Sequence, residues 1–207
     1  MAIDVRWTRV LVDDRRDLLY GPRTGRLYLL GRREAEDPRL CKVLGLARWT
    51  FDERLEDPAG AVAHDAASFR GASLPRTPAG PRIAYRLFDR TRSVLPFRLA
   101  VHLAAAAARR ASRRAERAPS GDGHVVDAIA RAIHALERDV DYADCYPRAL
   151  LTAFLALRVG IGCQVALGVL APTRKMHAWC SVDGVVPYEP MPEHYLYRPL
   201  LVISLAP

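Results

Sequence analysis

Residues 144–151, DCYPRALL, and residues 176–179, MHAW, decide the fold of this chain. Cys145 opens a stretch that is apolar on almost every side, which predicts a central helix buried all round. Asp144 can cap this helix, and Pro147 is tolerated only in its first turn. We therefore predict that Cys145 lies at a helix start, where unpaired backbone N–H groups point outward.

Cys145 and His177 together have the pattern of a thiol nucleophile and its base. Backbone N–H groups and the helix dipole favour a thiolate at Cys145, and His177 begins a strand beyond a helix and a hairpin. The same N–H groups could hold an oxyanion, although no side-chain donor for that role is identifiable. Either residue alone is as easily a core residue, so the prediction depends on the pair.

A third group should orient the imidazole of His177, and the candidates are Asp183 and Glu189. With a two-residue hairpin loop at 183–184, Glu189 would lie on the wrong side of its strand. With a three-residue loop at 182–184, His177 would face Glu189 directly. A triad with Glu189 therefore predicts the three-residue loop, with Asp183 as a turn former.

A zinc site built from Cys163, His177 and Cys180 is the main rival interpretation. Strand alternation puts His177 and Cys180 on opposite faces, so we predict no metal site. Cys41, Cys163 and Cys180 are then inert thiols. Glu193 and His194 carry no motif and are predicted to lie at the surface.

The pattern of elements predicts an α+β protein. Strands are expected at 6–12, 17–20 and 26–30, followed by helix from 38 to about 55. Residues 71–81 are rich in Gly and Pro and indicate a linker, so we divide the chain into domains 1–75 and 76–207. Beyond the linker, helices are expected at 83–89, 96–118 and 125–137, and strands at 163–170 and 177–182.

Composition limits the partners only weakly. The net charge is +8, but it comes almost entirely from Arg, with Lys only at Lys42 and Lys175. We expect neither nucleic acid nor a membrane as a partner, because no interleaved aromatic and basic pattern is present and residues 99–108 are too short for a bilayer span. Four cysteines and the absence of a signal-peptide pattern predict a cytoplasmic location.

The Cys and His blocks, with ALGV at 166–169 between them, resemble the lasso-peptide B proteins, which are leader peptidases with a transglutaminase-like domain. The resemblance runs from about Ile83 onward. It implies a cysteine endopeptidase with Cys145 as nucleophile, His177 as base and an acidic residue after the hairpin as orienter. The family uses Asp as the third member, whereas the matching residue here is Glu189.

The same resemblance implies partners. The substrate would be a ribosomally made precursor peptide, and an asparagine-synthetase-like cyclase that uses ATP would join the freed amine to a side-chain carboxylate. ATP dependence of the protease has been associated with the family, but no P-loop motif is present, so the motifs predict no bound cofactor.

The N-terminal pattern is similar to the precursor-peptide recognition element that is fused to some members of the family. That element is a small winged module of three strands and three helices, and it binds the leader as an added strand at its sheet edge. Tyr28 and Leu30 on the third strand, with Leu44 and Arg48 on the helix, are the expected leader-binding residues.

Two alternatives stay open at the level of sequence. The same Cys and His could pass an acyl group to an amine, as in transglutaminases or arylamine acetyltransferases. The chain could also be a noncatalytic peptide-binding or nucleic-acid-binding module, which its basic charge would favour.

Overall fold

A computed structural model describes residues 3–64, 79–112, 122–140, 144–171, 173–190 and 193–207. The first part of the chain forms β1 (Ile3–Trp7), β2 (Val10–Asp13), β3 (Arg16–Gly21), β4 (Arg26–Gly31), α1 (Arg32–Ala35), α2 (Pro38–Leu44), β5 (Thr50–Phe51) and β6 (Ala61–Val62). The second part forms α3 (Ala79–Thr91), α4 (Phe97–Ser112), α5 (Asp122–Glu137), α6 (Cys145–Arg158), β7 (Cys163–Leu170), β8 (Lys175–Ser181), β9 (Val185–Val186), a 3₁₀ turn (His194–Leu196) and β10 (Arg198–Leu205).

A central sheet of order β5-β1-β10-β7-β8 supports the Cys-bearing helix α6. The strand pairs are antiparallel except for β1 and β5, and α6 packs against β7 and β8 while α3, α4 and α5 surround it. The predicted α+β class and the predicted central, buried helix are confirmed. In the parts of the chain described above, no helix combines the length and the apolar character needed to cross a membrane.

Helix α6 begins where its sequence predicts. Asp144 accepts a hydrogen bond from the Tyr146 N–H at 3.1 Å, and Pro147 occupies the first turn. Most of the helix is fully buried, with Leu150 and Leu151 each at 0% exposure. The apolar character on every side therefore reflects contacts with the sheet on one face and with other helices elsewhere.

The N-terminal strands form a separate antiparallel sheet of order β2-β3-β4. The single strand predicted for 6–12 is wrong, because the chain passes from the central sheet to this small sheet at Thr8, whose N–H bonds to the Leu200 carbonyl at 3.1 Å. The helix predicted from 38 to 55 ends at Leu44. Gly45 has φ 81°, a left-handed conformation that ends the helix.

Hydrogen bonds join the regions on either side of the predicted domain boundary. Strand β1 pairs with β10, from Ile3 with Leu205 to Trp7 with Leu201, and β6 pairs in parallel with β9. Residues 65–78 lie outside the described residues, so the division into 1–75 and 76–207 stays a prediction. The end of the predicted linker, from Ala79 onward, is the start of α3.

The turn between β8 and β9 is a two-residue loop, and the predicted three-residue loop is wrong. Val182 and Val185 exchange both backbone hydrogen bonds, at 2.8 and 3.1 Å. Asp183 and Gly184 both have positive φ, 53° and 76°, as in the primed turns that suit hairpins. Asp183 therefore lies at the exposed tip of the turn.

Candidate active site

Cys145 meets His177 where the start of α6 packs against β8. The thiol and the imidazole lie close enough for each to shift the pKa of the other, and the Ala178 N–H also helps to lower the pKa of the thiol. Because Cys145 is the first residue of α6, its sulfur also lies at the positive end of the helix dipole. The predicted Cys–His pair is thus brought together by a helix start and one strand.

His177 presents its ring on the face of β8 that also carries Trp179. The two rings stack with centroids 5.8 Å apart and an angle of 21° between their planes. Trp179 belongs to a small apolar cluster with Tyr197, whereas Cys180 packs in the main core on the other face. This agrees with the strand alternation that separated His177 from Cys180.

Glu189 accepts a hydrogen bond from His177 Nε2, although the hairpin register would forbid it. The register argument fails because β9 has only two residues and the chain then leaves the hairpin. Past β9, the Glu189 N–H bonds to the His64 carbonyl at 3.1 Å. The predicted contact between His177 and Glu189 is present, the predicted three-residue loop that leads to it is wrong, and the catalytic role of Glu189 stays a prediction.

The pKa values of Cys145 and His177 are both shifted by their neighbours in the site. Burial raises the pKa of the Cys145 thiol. This effect is outweighed by His177, by the Ala178 N–H and by the charge of Arg148, so that the pKa lies below its usual value. Burial lowers the pKa of His177, but Cys145 and Glu189 outweigh it and raise the pKa to about 9. These shifts favour a thiolate–imidazolium pair.

Glu189 keeps its charge although only 2% of it is exposed. Burial raises the pKa of its carboxyl group, but hydrogen bonds and charges from His177 and His194 outweigh burial and lower the pKa to about 2. The site therefore contains a carboxylate that can orient the His177 ring and stabilise its charged form.

Arg148 places a second buried cation near the thiol, one turn into α6. Its Nε donates to Glu137 Oε1 at 2.6 Å, and both side chains are nearly buried, at 11% and 6% exposure. Its charge contributes to the lowered pKa of Cys145. The Arg of the DCYPRALL segment thus has an electrostatic effect on the site that the sequence prediction did not include.

His194 is also part of the site, and the prediction that it lies at the surface is wrong. It is 4% exposed, and its Nδ1 lies 2.8 Å from Glu189 Oε2. The 3₁₀ turn that contains it packs against β8 and Trp179, which explains its burial. In the sequence, His194 precedes three apolar or aromatic residues at 195–197, and this pattern is too weak a signal to predict that His194 is buried.

A cavity of about 220 Å³ opens at Cys145 and His177. Both parts of the chain line it: Tyr20 and Gly25 come from the small N-terminal sheet, and Pro96 and Phe97 from the start of α4. Its wall is mainly apolar and aromatic, with an ion pair between Arg92 and Asp144 at one side. The cavity therefore gives the thiol a mainly apolar surrounding.

The four predicted leader-binding residues are not on one exposed surface. Tyr28 and Leu30 lie half-buried on β4, and Leu44 is in the core at 2% exposure. Arg48 is exposed but lies beyond the end of α2, because Gly45 stops that helix. Leader binding at β4 stays a prediction.

The other three cysteines, like Cys145, form no disulfide. Cys163 and Cys180 are both buried. Burial raises the pKa of Cys180, and the neighbouring Cys163 raises it further. Burial also raises the pKa of the half-buried Cys41. Within the described ranges, no group of three His, Cys, Asp or Glu side chains could hold a metal ion.

A thiol at a helix start, paired with a strand histidine and an orienting carboxylate, defines a cysteine-dependent enzyme with a papain-like or transglutaminase-like site. A family model described as "Transglutaminase-like superfamily" matches residues 91–202, which is more than half of the chain. The chain therefore belongs to the transglutaminase-like superfamily. No curated protein and no solved structure matches it.

Proposed function

We propose that this protein is a cysteine endopeptidase that removes the leader from a lasso-peptide precursor and frees the N-terminal amine of the core. The observation that carries the proposal is the arrangement of Cys145 beside His177, with His177 hydrogen-bonded to Glu189. Glu189 replaces the Asp of the family, and its longer side chain still contacts the imidazole. Family membership supports the cysteine chemistry, and the resemblance of the Cys and His blocks supports the substrate.

In the proposed reaction, the Cys145 thiolate attacks the scissile carbonyl and forms a sulfur–carbon bond. His177, oriented by Glu189, donates its proton to the amine as the carbon–nitrogen bond breaks. A water molecule then gives a proton back to His177 and attacks the acyl group, which releases Cys145 and the leader carboxylate. The net reaction is hydrolysis of one peptide bond.

Backbone N–H groups at the start of α6 are the proposed oxyanion donors. The Tyr146 N–H already bonds to the Asp144 side chain, so we assign this role to the N–H of Cys145 itself. Arg92 pairs with the other oxygen of Asp144 and helps to hold this helix start in place.

The proposed leader site is the edge of β4, in the small sheet of order β2-β3-β4. Strand β4 starts beside the cavity: a methyl group added to Gly25 would lie 3.6 Å from the Pro96 Cα, and the Phe97 N–H donates to the Tyr20 hydroxyl at 3.3 Å. A leader that runs antiparallel to β4 would therefore bring its C-terminal end to the Cys145 cavity.

The proposal extends to partners and location as the resemblance implies them. The protein would act in the cytoplasm beside an asparagine-synthetase-like cyclase, which would use ATP to close the ring on the freed amine. We assign no bound cofactor to the cleavage step. Assays with and without ATP test whether the protease itself depends on the nucleotide.

Acyl transfer is the second candidate, because the same Cys, His and carboxylate serve transferases of this superfamily. The two reactions differ in the group that releases the acyl-enzyme: water gives a free leader carboxylate, and an amine gives an amide. Mass spectrometry of the leader fragment in ¹⁸O-labelled water separates them, since only hydrolysis incorporates the label.

The proposal is tested by incubating the full-length protein with the precursor peptides encoded beside its gene. The matched variants are Cys145→Ala and Cys41→Ala, because Cys41 is a half-buried thiol whose sulfur contacts the Ala35 carbonyl. We expect cleavage by wild type and Cys41→Ala, and no fragment from Cys145→Ala by mass spectrometry. Cleavage that survives in Cys145→Ala would overturn the thiol mechanism.

A further inference from the structure

Both oxygens of the Glu189 carboxylate are held by imidazole rings. Oε1 accepts from His177, and Oε2 lies 2.8 Å from His194 Nδ1. A carboxylate only accepts hydrogen bonds, so His194 carries a proton on Nδ1 and His177 carries one on Nε2. This leaves Nδ1 of His177 as the ring nitrogen that serves Cys145.

His194 also has a carboxylate on its other side, at ion-pair distance. Its Nε2 lies 3.8 Å from Asp57 Oδ2, and the other Asp57 oxygen accepts hydrogen bonds from Trp179 Nε1 at 2.8 Å and from the Ala59 N–H at 2.9 Å. Trp179 in turn stacks on His177. The contacts close a ring of five side chains: His177, Glu189, His194, Asp57 and Trp179.

A glutamate needs this support more than an aspartate does. Its side chain has one additional rotatable bond, and a single contact with His177 leaves the carboxylate free to rotate about it. Outer partners that fix a functional side chain typically matter for activity even though they touch no substrate. The second hydrogen bond, to Oε2, removes this freedom.

We propose that His194 is a positioning residue that fixes the Glu189 carboxylate toward His177, and that Asp57 anchors His194. The inference rests on the role of Glu189 in the proposed function. Loss of His194 would let Glu189 turn away, loosen the His177 ring and weaken the thiolate–imidazolium pair.

The test is the rate of alkylation of Cys145 by iodoacetamide as a function of pH, followed by peptide mass spectrometry on the full-length protein. His194→Asn keeps an N–H donor close to the place of Nδ1, and His194→Leu removes the donor. At about pH 6, below the usual pKa of a thiol, we expect alkylation about tenfold slower in His194→Leu and a midpoint shifted to higher pH. His194→Asn should stay near wild type.

A wild-type alkylation profile in a folded His194→Leu variant would overturn the proposal. If that variant does not fold, the alkylation profile of Asp57→Ala provides the test. Asp57 contacts His194, Trp179 and Ala59. We expect a smaller shift in the same direction in Asp57→Ala, and an unchanged profile there would also overturn the proposal.

Alkylation needs no precursor peptide, so it separates this inference from the substrate assignment. If wild type cleaves no precursor but His194→Leu still shifts the alkylation profile, the leader-removal proposal fails and the positioning role stands. With a cleaved precursor, His194→Leu should lower kcat with little change in KM, because His194 acts on the imidazole and not on the peptide.

Discussion

Glu189 illustrates how single side chains determine the chemistry of the site. A buried carboxylate is costly unless it is paired, and here two imidazoles hold it in its charged form. The family resemblance alone would suggest that a Glu in place of Asp weakens the triad. In this site, the additional length is matched by an additional partner, His194.

We predict that Glu189→Gln lowers kcat by on the order of 10²-fold or more. An amide accepts hydrogen bonds at one end only, so either His177 or His194 loses its acceptor. The measurement is single-turnover cleavage of the precursor. Asp183→Asn is the matched control: Asp183 is exposed with φ 53°, a conformation that Asn tolerates, and activity should not change. Slow turnover in the control alone would identify Asp183 as the orienting residue.

The pH dependence of kcat/KM should be bell-shaped. His177 has its pKa raised to about 9, and it must carry the proton that it gives to the leaving amine, so activity should fall as the pH rises through this value. The acid limb should lie below the usual range of a thiol, because the pKa of Cys145 is lowered. The alkaline limb should move to lower pH in Glu189→Gln; a limb that stays in place would show that Glu189 does not stabilise the imidazolium.

At the scale of elements, local signals predicted helix α6 well and the β8–β9 hairpin poorly. The cap at Asp144, the proline at Pro147 and the apolar run all act within the helix, so the sequence alone locates its start. A loop containing Asp183 and Gly184 is compatible with two lengths, and nothing nearby in the sequence selects one.

Long-range contacts explain the remaining errors at the site. The position of Glu189 depends on β6 and the His64 carbonyl, which lie far earlier in the chain. The burial of His194 depends on Asp57 and Trp179. A sequence pattern contains no measure of such pairings, so Cys145, His177 and Glu189 could be proposed from the sequence, whereas the contacts that hold Glu189 and bury His194 could not.

Strand β7 supplies the next prediction, at Gly168, which pairs with His177 across the sheet. A Cβ at Gly168 would lie 2.7 Å from the Trp179 ring and 2.9 Å from the Arg198 carbonyl. Gly168→Ala should therefore cost about 1–3 kcal/mol in the free energy of unfolding and slow turnover, because Trp179 must move away from His177. Thermal denaturation and precursor cleavage measure the two effects.

Gly80→Ala is the matched control for this change. A Cβ at Gly80 would meet nothing within 4 Å, and Gly80 lies in α3, where Ala is the better helix former. Its stability should be equal to or slightly above wild type. A Gly168→Ala variant that is as stable as this control would contradict the close packing of β7 on Trp179.

At the scale of the whole molecule, residues 3–64 contribute to the site as well as to the small sheet. Tyr20 and Gly25 line the cavity, Asp57 contacts His194, and the His64 carbonyl holds the Glu189 backbone. A substrate bound to the small sheet would thus contact a region that also supports the Glu189 carboxylate. Binding and cleavage are therefore best measured on the full chain.

Strand β10 lies between β1 and β7, and it follows every other strand of the central sheet in the chain. During synthesis on a ribosome, the pairs β5-β1 and β7-β8 are made first, and neither can join the other until β10 emerges. Until then, β1 and β7 each expose an unpaired edge, which is a template for aggregation. Because Ile3 pairs with Leu205, closure of the sheet depends on contacts between residues far apart in the sequence, and we expect such closure to be slower than the formation of the local hairpins.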